Sequence, residues 1–138
     1  MLVLDTDHLS AFERGSGGGT AFRARLLAAS DEAVATIISA EEQLRGWLAR
    51  IHALRSVHDQ IAAYTKLQQR LAFHAEWTLP PWTKGAADRF VAFRKAGIRV
   101  GTMDLKIASI ALEHGGTVLT QNLVDFGQVP GLRVESWL

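Results

Sequence analysis

The chain begins with Leu2-Val3-Leu4-Asp5-Thr6-Asp7, in which a short apolar run stops at two closely spaced acidic residues. Such a run, bounded by polar residues, is typical of a strand that is buried on both faces of a parallel sheet. Asp5 comes directly after the buried strand, so its charge needs a partner. A short helix is predicted next, over residues 7–14.

Strands and helices alternate along the rest of the chain. Residues 33–38 are rich in β-branched side chains and predict a second strand. Residues 117–120 and 132–137 predict two more strands, and residues 76–82 are a candidate for a further brief one. The alternation predicts an α/β fold with a mainly parallel sheet, in a single domain over residues 1–138.

The helical part contains one long hairpin after the second strand. Ser39-Ala40-Glu41-Glu42 fits a capping box, so Ser39 is predicted to cap the first helix of this hairpin. Residues 55–58 are predicted to form the bend. Thr20, Thr83 and Thr102 are predicted to cap other helices. The run Gly15-Ser16-Gly17-Gly18-Gly19 is predicted to be a flexible loop.

The composition excludes several classes of site. The chain has 138 residues, of which 48% are hydrophobic, and it has no cysteine. Disulfides, thiolate zinc sites and a cysteine nucleophile are therefore excluded. No apolar run is long enough to span a membrane, and we expect a cytoplasmic protein. The net charge of +1 does not by itself indicate nucleic-acid binding, whose usual mark is a basic face.

Four acidic residues occupy comparable places in the predicted pattern: Asp5, Glu42, Asp104 and Asp125. Each follows a strand or lies in the first turn of a helix, and these positions share one edge of a parallel sheet. Two carboxylates about 4 Å apart repel by about 4 kcal/mol at an effective dielectric constant of about 20. A cluster of oxygen ligands without cysteine favours Mg²⁺ or Mn²⁺. Such ions assist phosphodiester hydrolysis, which is therefore the predicted chemistry.

Three of these acids also have a structural explanation when taken singly. The capping box accounts for Glu42, the helix dipole accounts for Asp104, and a turn accounts for Asp125. Convergence at one edge accounts for all of them together, so the metal site is the stronger interpretation.

The chain resembles the PIN-domain ribonucleases, and among them the VapC-type toxins of toxin–antitoxin pairs. The resemblance rests on four blocks in the right order and on the run that follows them. These are Leu2-Val3-Leu4-Asp5-Thr6-Asp7, Ile38-Ser39-Ala40-Glu41-Glu42-Gln43-Leu44-Arg45-Gly46, Asp104-Leu105-Lys106-Ile107-Ala108, Leu119-Thr120-Gln121-Asn122-Leu123-Val124-Asp125-Phe126 and Val129-Pro130-Gly131-Leu132.

The resemblance implies a PIN-like, five-stranded parallel sheet flanked by helices and a Mg²⁺- or Mn²⁺-dependent endoribonuclease. It implies that Asp5 and Asp104 bind the metal, and that Glu42 and Asp125 bind it directly or through water. It also implies a cognate antitoxin and a homodimer. Three polar residues would support the carboxylates by hydrogen bonds; they are Thr6, Thr120 and Asn122.

For several residues near the predicted edge, the sequence allows more than one role. Asp7 stands where the family often has Asn, and it either binds metal or caps the first helix, the cap being favoured. His8 is the one histidine placed to act as a general base, a minor hypothesis. Phosphate contacts are predicted for three cations, which are Arg14, Arg45 and Lys106. The hairpin carries enough apolar side chains to offer a groove to an amphipathic partner helix or simply to pack the core.

Two other functions compete with the nuclease. Asp5-Thr6-Asp7 resembles the start of the haloacid-dehalogenase phosphatases, but Leu9 stands where those enzymes have Thr or Val. A catalytically inactive PIN-like module that binds RNA or protein is the other alternative, since a fold does not guarantee activity. Such modules usually lack some of the four acids, and none is missing here.

Overall fold

A computed structural model of the protein describes residues 1–15 and 18–138. Its centre is a sheet of four parallel strands in the order β2-β1-β3-β4. The strands are β1 (Leu2–Leu4), β2 (Ala33–Val34), β3 (Thr117–Leu119) and β4 (Arg133–Glu135). The predicted α/β fold with a parallel sheet is thereby confirmed.

Helices connect the strands and cover both faces of the sheet. They are α1 (Thr6–Arg14), α2 (Gly18–Ala28), α3 (Ile37–Ala53), α4 (Gln60–Ala75), α5 (Lys84–Lys95), α6 (Thr102–Glu113) and α7 (Leu123–Phe126). In the part of the chain that the structure describes, no helix is both long enough and apolar enough to cross a membrane.

The sheet has one strand fewer, within the described residues, than the five that the resemblance implies. The candidate strand over residues 76–82 does not form. Pro80 and Pro81 lie within it, and each proline lacks the N–H that a ladder hydrogen bond requires.

The two faces of the sheet pack against different helices. Val3 faces one side, where it packs with Ile107 and other apolar residues of α6. Leu4 faces the other side and packs with Leu9 of α1 and Phe22 of α2. This burial on both faces explains why the central strand β1 is a continuous apolar run without alternation, whereas the edge strand β4 alternates between exposed and partly buried residues.

The hairpin of α3 and α4 begins earlier than its sequence predicts. Thr36, and not Ser39, is the N-cap of α3, and its hydroxyl oxygen accepts a hydrogen bond from the Ser39 N–H at 3.0 Å. The prediction that Ser39 starts a capping box with Glu42 is therefore wrong. Glu42 lies further along the helix, where its carboxylate has a different partner. The bend predicted at residues 55–58 is confirmed, because the helices are separated by residues 54–59.

The other predicted caps have mixed outcomes. Thr83 caps α5 as predicted, accepting a hydrogen bond from the Ala86 N–H at 3.1 Å. Gly101 rather than Thr102 is the N-cap of α6. Thr20 lies inside α2, where its hydroxyl donates to the Gly15 carbonyl at 2.8 Å.

The predicted glycine-rich loop is shorter than expected. Gly18 and Gly19 form the first turn of α2, so they are not loop residues. Residues 16 and 17, the rest of the predicted loop after Gly15, lie outside the described residues.

The carboxyl ends of the strands meet at one edge of the sheet, where the predicted site lies. The Asp5 N–H, directly after β1, donates to the Leu119 carbonyl at the end of β3, at 3.0 Å. The Thr120 N–H in turn donates to the Glu135 carbonyl at the end of β4, at 3.0 Å. The backbone ladder therefore fixes Asp5 beside Thr120.

Candidate metal centre

Asp5 is the most deeply buried acid of this edge, with only 7% of its surface exposed. One carboxylate oxygen accepts a hydrogen bond from the Thr6 N–H at 2.7 Å, which makes Asp5 the N-cap of α1. The other oxygen accepts from the Thr120 hydroxyl at 2.9 Å. Burial raises the pKa of Asp5 from 3.8 to about 6; the two hydrogen bonds oppose this rise, and the charges of Asp7 and Asp104 add to it.

Asp104 lies in the first turn of α6 and is half-buried. Its pKa is raised by burial first and then by the negative charges of Glu42, Asp125 and Asp7. These charges act on Asp104 because Glu42, Asp125 and Asp7 lie in its neighbourhood at this edge.

The three predicted supporting residues each contact a carboxylate of the group. Thr6 donates from its hydroxyl to Glu42 Oε2 at 2.7 Å and thereby links α1 to α3. This bond is the partner that Glu42 has in place of the predicted capping box. Because α1 is already fixed by the N-cap at Asp5, the bond holds the Glu42 carboxylate toward the sheet edge.

Asn122 joins the remaining two acids. Its side-chain amide donates to Asp125 Oδ2 at 2.9 Å and to Asp104 Oδ2 at 3.3 Å. Asn122 is also the N-cap of α7, and its own N–H donates to the Thr120 hydroxyl oxygen at 3.0 Å. The Thr120 hydroxyl therefore connects this half of the group to Asp5.

Asp7 does not cap α1, since Asp5 takes that position. One oxygen of Asp7 accepts from the His8 ring at 2.7 Å, and the other accepts from the Gln121 N–H at 2.7 Å. Burial acts to raise the pKa of Asp7, but the hydrogen bonds from His8 and Gln121 outweigh it, and the pKa lies below its ordinary value. Asp7 is thus a charged link between α1 and the segment after β3.

His8 is fully buried and packs edge-on against Phe22, with ring centroids 5.0 Å apart. Its Nε2 accepts a hydrogen bond from the Trp137 N–H at 3.2 Å, so the ring proton is on Nδ1, which donates to Asp7. Both nitrogens are engaged and neither is exposed. This geometry gives His8 a structural role and is unsuited to a general base.

The three basic residues predicted to bind phosphate lie in two separate clefts of the surface. Within residues 1–15 and 18–138, none of them donates a hydrogen bond to Asp5, Glu42, Asp104 or Asp125. Arg14 lies on α1, at the side of a cleft that begins at Asp7. Arg45 forms an exposed ion pair with Glu41, one turn before it on α3. Lys106 lies on α6 with its ammonium 5.7 Å from the ring of Trp82. Arg45 and Lys106 share a different, apolar groove.

The structure also shows contacts that the sequence did not reveal. Gln121 and Trp137 hold Asp7 and His8 through backbone N–H groups. A backbone donor is the same in every residue except proline, so no residue type could have indicated these bonds.

The donor set fits a hard divalent cation. It consists of carboxylate oxygens from four acids, with no sulfur ligand. The pKa values of Asp5 and Asp104 are raised mainly by burial and further by the neighbouring negative charges. Among the described residues, no three or more histidine, aspartate or glutamate side chains are arranged so that they could hold a metal ion together. Carboxylates without a cation between them repel one another, and the amide of Asn122 holds two of them by hydrogen bonds instead.

The fold and this edge define a parallel α/β protein with several carboxylates near the carboxyl ends of its strands. The model of the PIN domain family matches residues 2–132. The chain belongs to the PIN domain family.

Solved structures show the same fold. The chain is similar to a DNA-bound VapBC from Salmonella typhimurium, with 22% identity, a TM-score of 0.75 and coverage of 99% of this chain and 98% of that one. It is similar to a toxin–antitoxin complex from Klebsiella pneumoniae, with 20% identity, a TM-score of 0.70 and coverage of 100% and 98%. It is also similar to VapBC-5 from Mycobacterium tuberculosis, with 25% identity, a TM-score of 0.57 and coverage of 97% and 94%. No curated protein sequence matches the chain.

The raised pKa of Asp5 predicts how stability depends on pH in the metal-free protein. The folded chain holds a proton up to a pH of about 6 that the unfolded chain releases near 3.8. The contribution of this proton to the free energy of unfolding is fully present below pH 3.8 and is lost as the pH rises through 6. Asp5→Asn removes the charge and keeps an acceptor for Thr6. We expect it to unfold at higher urea concentration than wild type at neutral pH in EDTA, by up to about 3 kcal/mol.

The control is Asp88→Asn, which alters an exposed carboxylate paired with Lys84. The advantage of Asp5→Asn should fade as the pH falls from about 6 to 3.8, because wild-type Asp5 takes up its proton in this range. Equal or lower stability of Asp5→Asn at neutral pH would contradict the assignment of a strained, buried charge to Asp5.

Proposed function

We propose that this PIN-domain protein is a Mg²⁺- or Mn²⁺-dependent endoribonuclease and the toxin component of a toxin–antitoxin pair in the cytoplasm. The observation that carries the proposal is the convergence of four carboxylates, from separate parts of the chain, at one sheet edge. The raised pKa values of Asp5 and Asp104 support it, because burial and the neighbouring carboxylates both make the charged form of these acids unfavourable without a cation.

In this proposal the catalytic and metal-binding residues are the same four acids. Asp5 and Asp104 hold the ion, and Glu42 and Asp125 bind it directly or through water. When bound, such an ion activates water and neutralises the oxygens of a phosphodiester in in-line hydrolysis. Three residues keep the carboxylates in place by hydrogen bonds, as outer partners of metal ligands generally do. They are Thr6, Thr120 and Asn122.

The competing functions fit the structure less well. A phosphatase of the haloacid-dehalogenase type would need Asp5 as a free nucleophile, yet both of its oxygens accept hydrogen bonds. Leu9 is fully buried in the core, so its position has no access to a phosphate. An inactive binding module would have no need of an edge that concentrates so much negative charge.

Cleavage of a mixed cellular RNA pool tests the nuclease. We expect the purified protein to produce discrete fragments with Mg²⁺ or Mn²⁺ and none with EDTA. Asp5→Asn should lose activity by about 10²-fold or more, because loss of an outer partner of a metal ligand alone costs about 10- to 100-fold. Asp88→Asn should cleave like wild type, since its carboxylate is exposed on α5.

Equal cleavage by wild type and Asp5→Asn would show that the activity belongs to a contaminant. Absence of cleavage, together with absence of Mn²⁺ binding, would contradict the proposal and favour the binding module.

The antitoxin is proposed to bind a groove along α3, which we name the α3 groove. It has a volume of about 570 Å³ and is lined mainly by apolar side chains. Glu42 lies on the same helix, so a partner helix in this groove would lie next to the acidic edge and could block it. The solved relatives from Klebsiella pneumoniae and Mycobacterium tuberculosis are toxin–antitoxin assemblies, which supports a partner of this kind. The main lining residues are Ile37, Leu44, Arg45, Leu48, Trp82 and Lys106.

A second apolar surface is proposed for the homodimer. On α4 the side chains of Ile61, Tyr64 and Leu71 are each more than half exposed, at 62%, 55% and 53%. Contiguous exposed apolar side chains of this kind mark interfaces rather than ordinary surface. The surface lies on the second helix of the hairpin, so it leaves the α3 groove open to the antitoxin.

Substitution on α4 tests the homodimer. The double variant Ile61→Asp, Leu71→Asp should sediment as a monomer where wild type sediments as a dimer, because charge in an apolar interface is unpaired. Leu27→Asp, which changes a 77% exposed leucine on α2, is the control and should remain dimeric. Identical sedimentation of the double variant and wild type would contradict this assignment.

A further inference from the structure

A cleft beside the acidic edge has no role in the function proposed so far. We name it the α1 cleft; it lies between α1, the first turn of α2 and the segment after β3, and has a volume of about 510 Å³. This volume lies within the range of about 300–1,000 Å³ that is typical of ligand sites. Its described lining includes Asp7, Ser10, Ala11, Arg14, Gly18 and Gln121.

The cleft begins at the acidic edge. The Thr120 hydroxyl, which donates to Asp5 at 2.9 Å, also lies 3.4 Å from Asp7 at the inner end of the cleft. Asp7, Ser10 and Arg14 then follow one another along one face of α1. With a rise of about 1.5 Å per residue, Arg14 is about 10 Å along the axis from Asp7. A chain that leaves the acidic edge through this cleft therefore passes Ser10 before it reaches Arg14.

The free polar groups of the cleft suit a nucleotide. Arg14 is exposed and has no carboxylate partner among the residues that the structure describes, whereas Arg45 and Arg70 are both in ion pairs. A guanidinium binds phosphate through paired hydrogen bonds. The Ser10 hydroxyl and the Gln121 side-chain amide form no hydrogen bond within the described ranges, and either can pair with a ribose hydroxyl or a base edge.

Glycine at the start of α2 keeps the cleft open. A Cβ at Gly19 would lie 2.4 Å from the Ala11 carbonyl oxygen, so α2 packs directly on α1 there. A Cβ at Gly18 would meet no atom of the described residues within 4 Å. A side chain at Gly18 would therefore extend into free space at the lining of the cleft rather than into the protein.

We propose that the α1 cleft binds the RNA nucleotide next to the scissile phosphate, with Arg14 on the following phosphate. The proposal rests on the proposed nuclease function, because it takes the acidic edge as the place where the scissile phosphate lies. Its ligand is single-stranded RNA, whose sugars and bases are free to make such contacts.

Binding, rather than cleavage, tests the subsite. The probe is a fluorescein-labelled pool of short, random-sequence, single-stranded RNA, and its affinity is measured by anisotropy over a range of KCl concentrations with Mg²⁺. All proteins carry Asp5→Asn, so the RNA stays intact during the measurement. The test variants are Arg14→Ala and Gly18→Phe. The matched controls are Arg89→Ala, at an exposed arginine of α5, and Gly46→Phe, at an exposed helical glycine of α3 with nothing within 4 Å of its Cβ.

The two test variants should weaken binding in different ways. Arg14→Ala should lower affinity about tenfold or more, and it should reduce the slope of log K against log[KCl] by about 0.7, the value for one phosphate contact on a single strand. Gly18→Phe should lower affinity with no change of slope, because it fills the cleft without removing a charge. Both controls should match the Asp5→Asn protein. If the phenylalanine unfolds α2, the affinity and slope of Arg14→Ala still decide the question.

The possible outcomes distinguish the proposal of an RNA subsite from the proposal of a nuclease. Affinity lost in Arg14→Ala and Gly18→Phe, while wild type fails to cleave RNA, supports RNA binding in the cleft but overturns the nuclease and with it the position next to a scissile phosphate. Affinity unchanged in both, while wild type cleaves RNA, overturns the subsite and leaves the cleft to a protein ligand. An unchanged salt dependence in Arg14→Ala, or no binding of the pool at all, also overturns it.

Discussion

The structure of the acidic edge depends on one energetically unfavourable arrangement: a carboxylate is buried at the end of the central strand with other carboxylates beside it. Asp5 cannot move away, because β1 and β3 fix its backbone and Thr6 and Thr120 fix its two oxygens. Its pKa of about 6 reflects the free-energy penalty of holding the charged carboxylate there. The same hydrogen bonds that stabilise the fold therefore keep negative charge where a cation would relieve it.

The surrounding contacts extend this constraint to the other acids. Thr6 joins Glu42 to the first helix, and Asn122 joins Asp104 to Asp125. Asp7 and His8 add a second layer, which ties α1 to Gln121 and Trp137. Together these bonds connect α1, α3, α6 and α7 around one point.

The convergence of the acids could be predicted from the sequence because it follows from topology alone. Asp5 comes directly after an apolar strand, and in a parallel sheet the ends of such strands share an edge. The start of α3 could not be predicted in this way. Residues 33–38 are β-branched and favour a strand, but Thr36 caps a helix within this run. The sequence also could not predict that Asp7 links α1 to the segment after β3, because one of its partners is the backbone N–H of Gln121, which is distant in sequence.

We propose above that the acidic edge binds a divalent cation. Calorimetric titration of Mn²⁺ at a pH of about 6, in buffers of different ionisation enthalpy, tests it most directly, because a cation must displace the proton that burial places on Asp5. We predict that Mn²⁺ binds with release of protons, that Asp104→Asn loses this binding, and that Asp88→Asn retains it. Absence of Mn²⁺ binding to wild type, or equal binding by Asp104→Asn, would contradict the account.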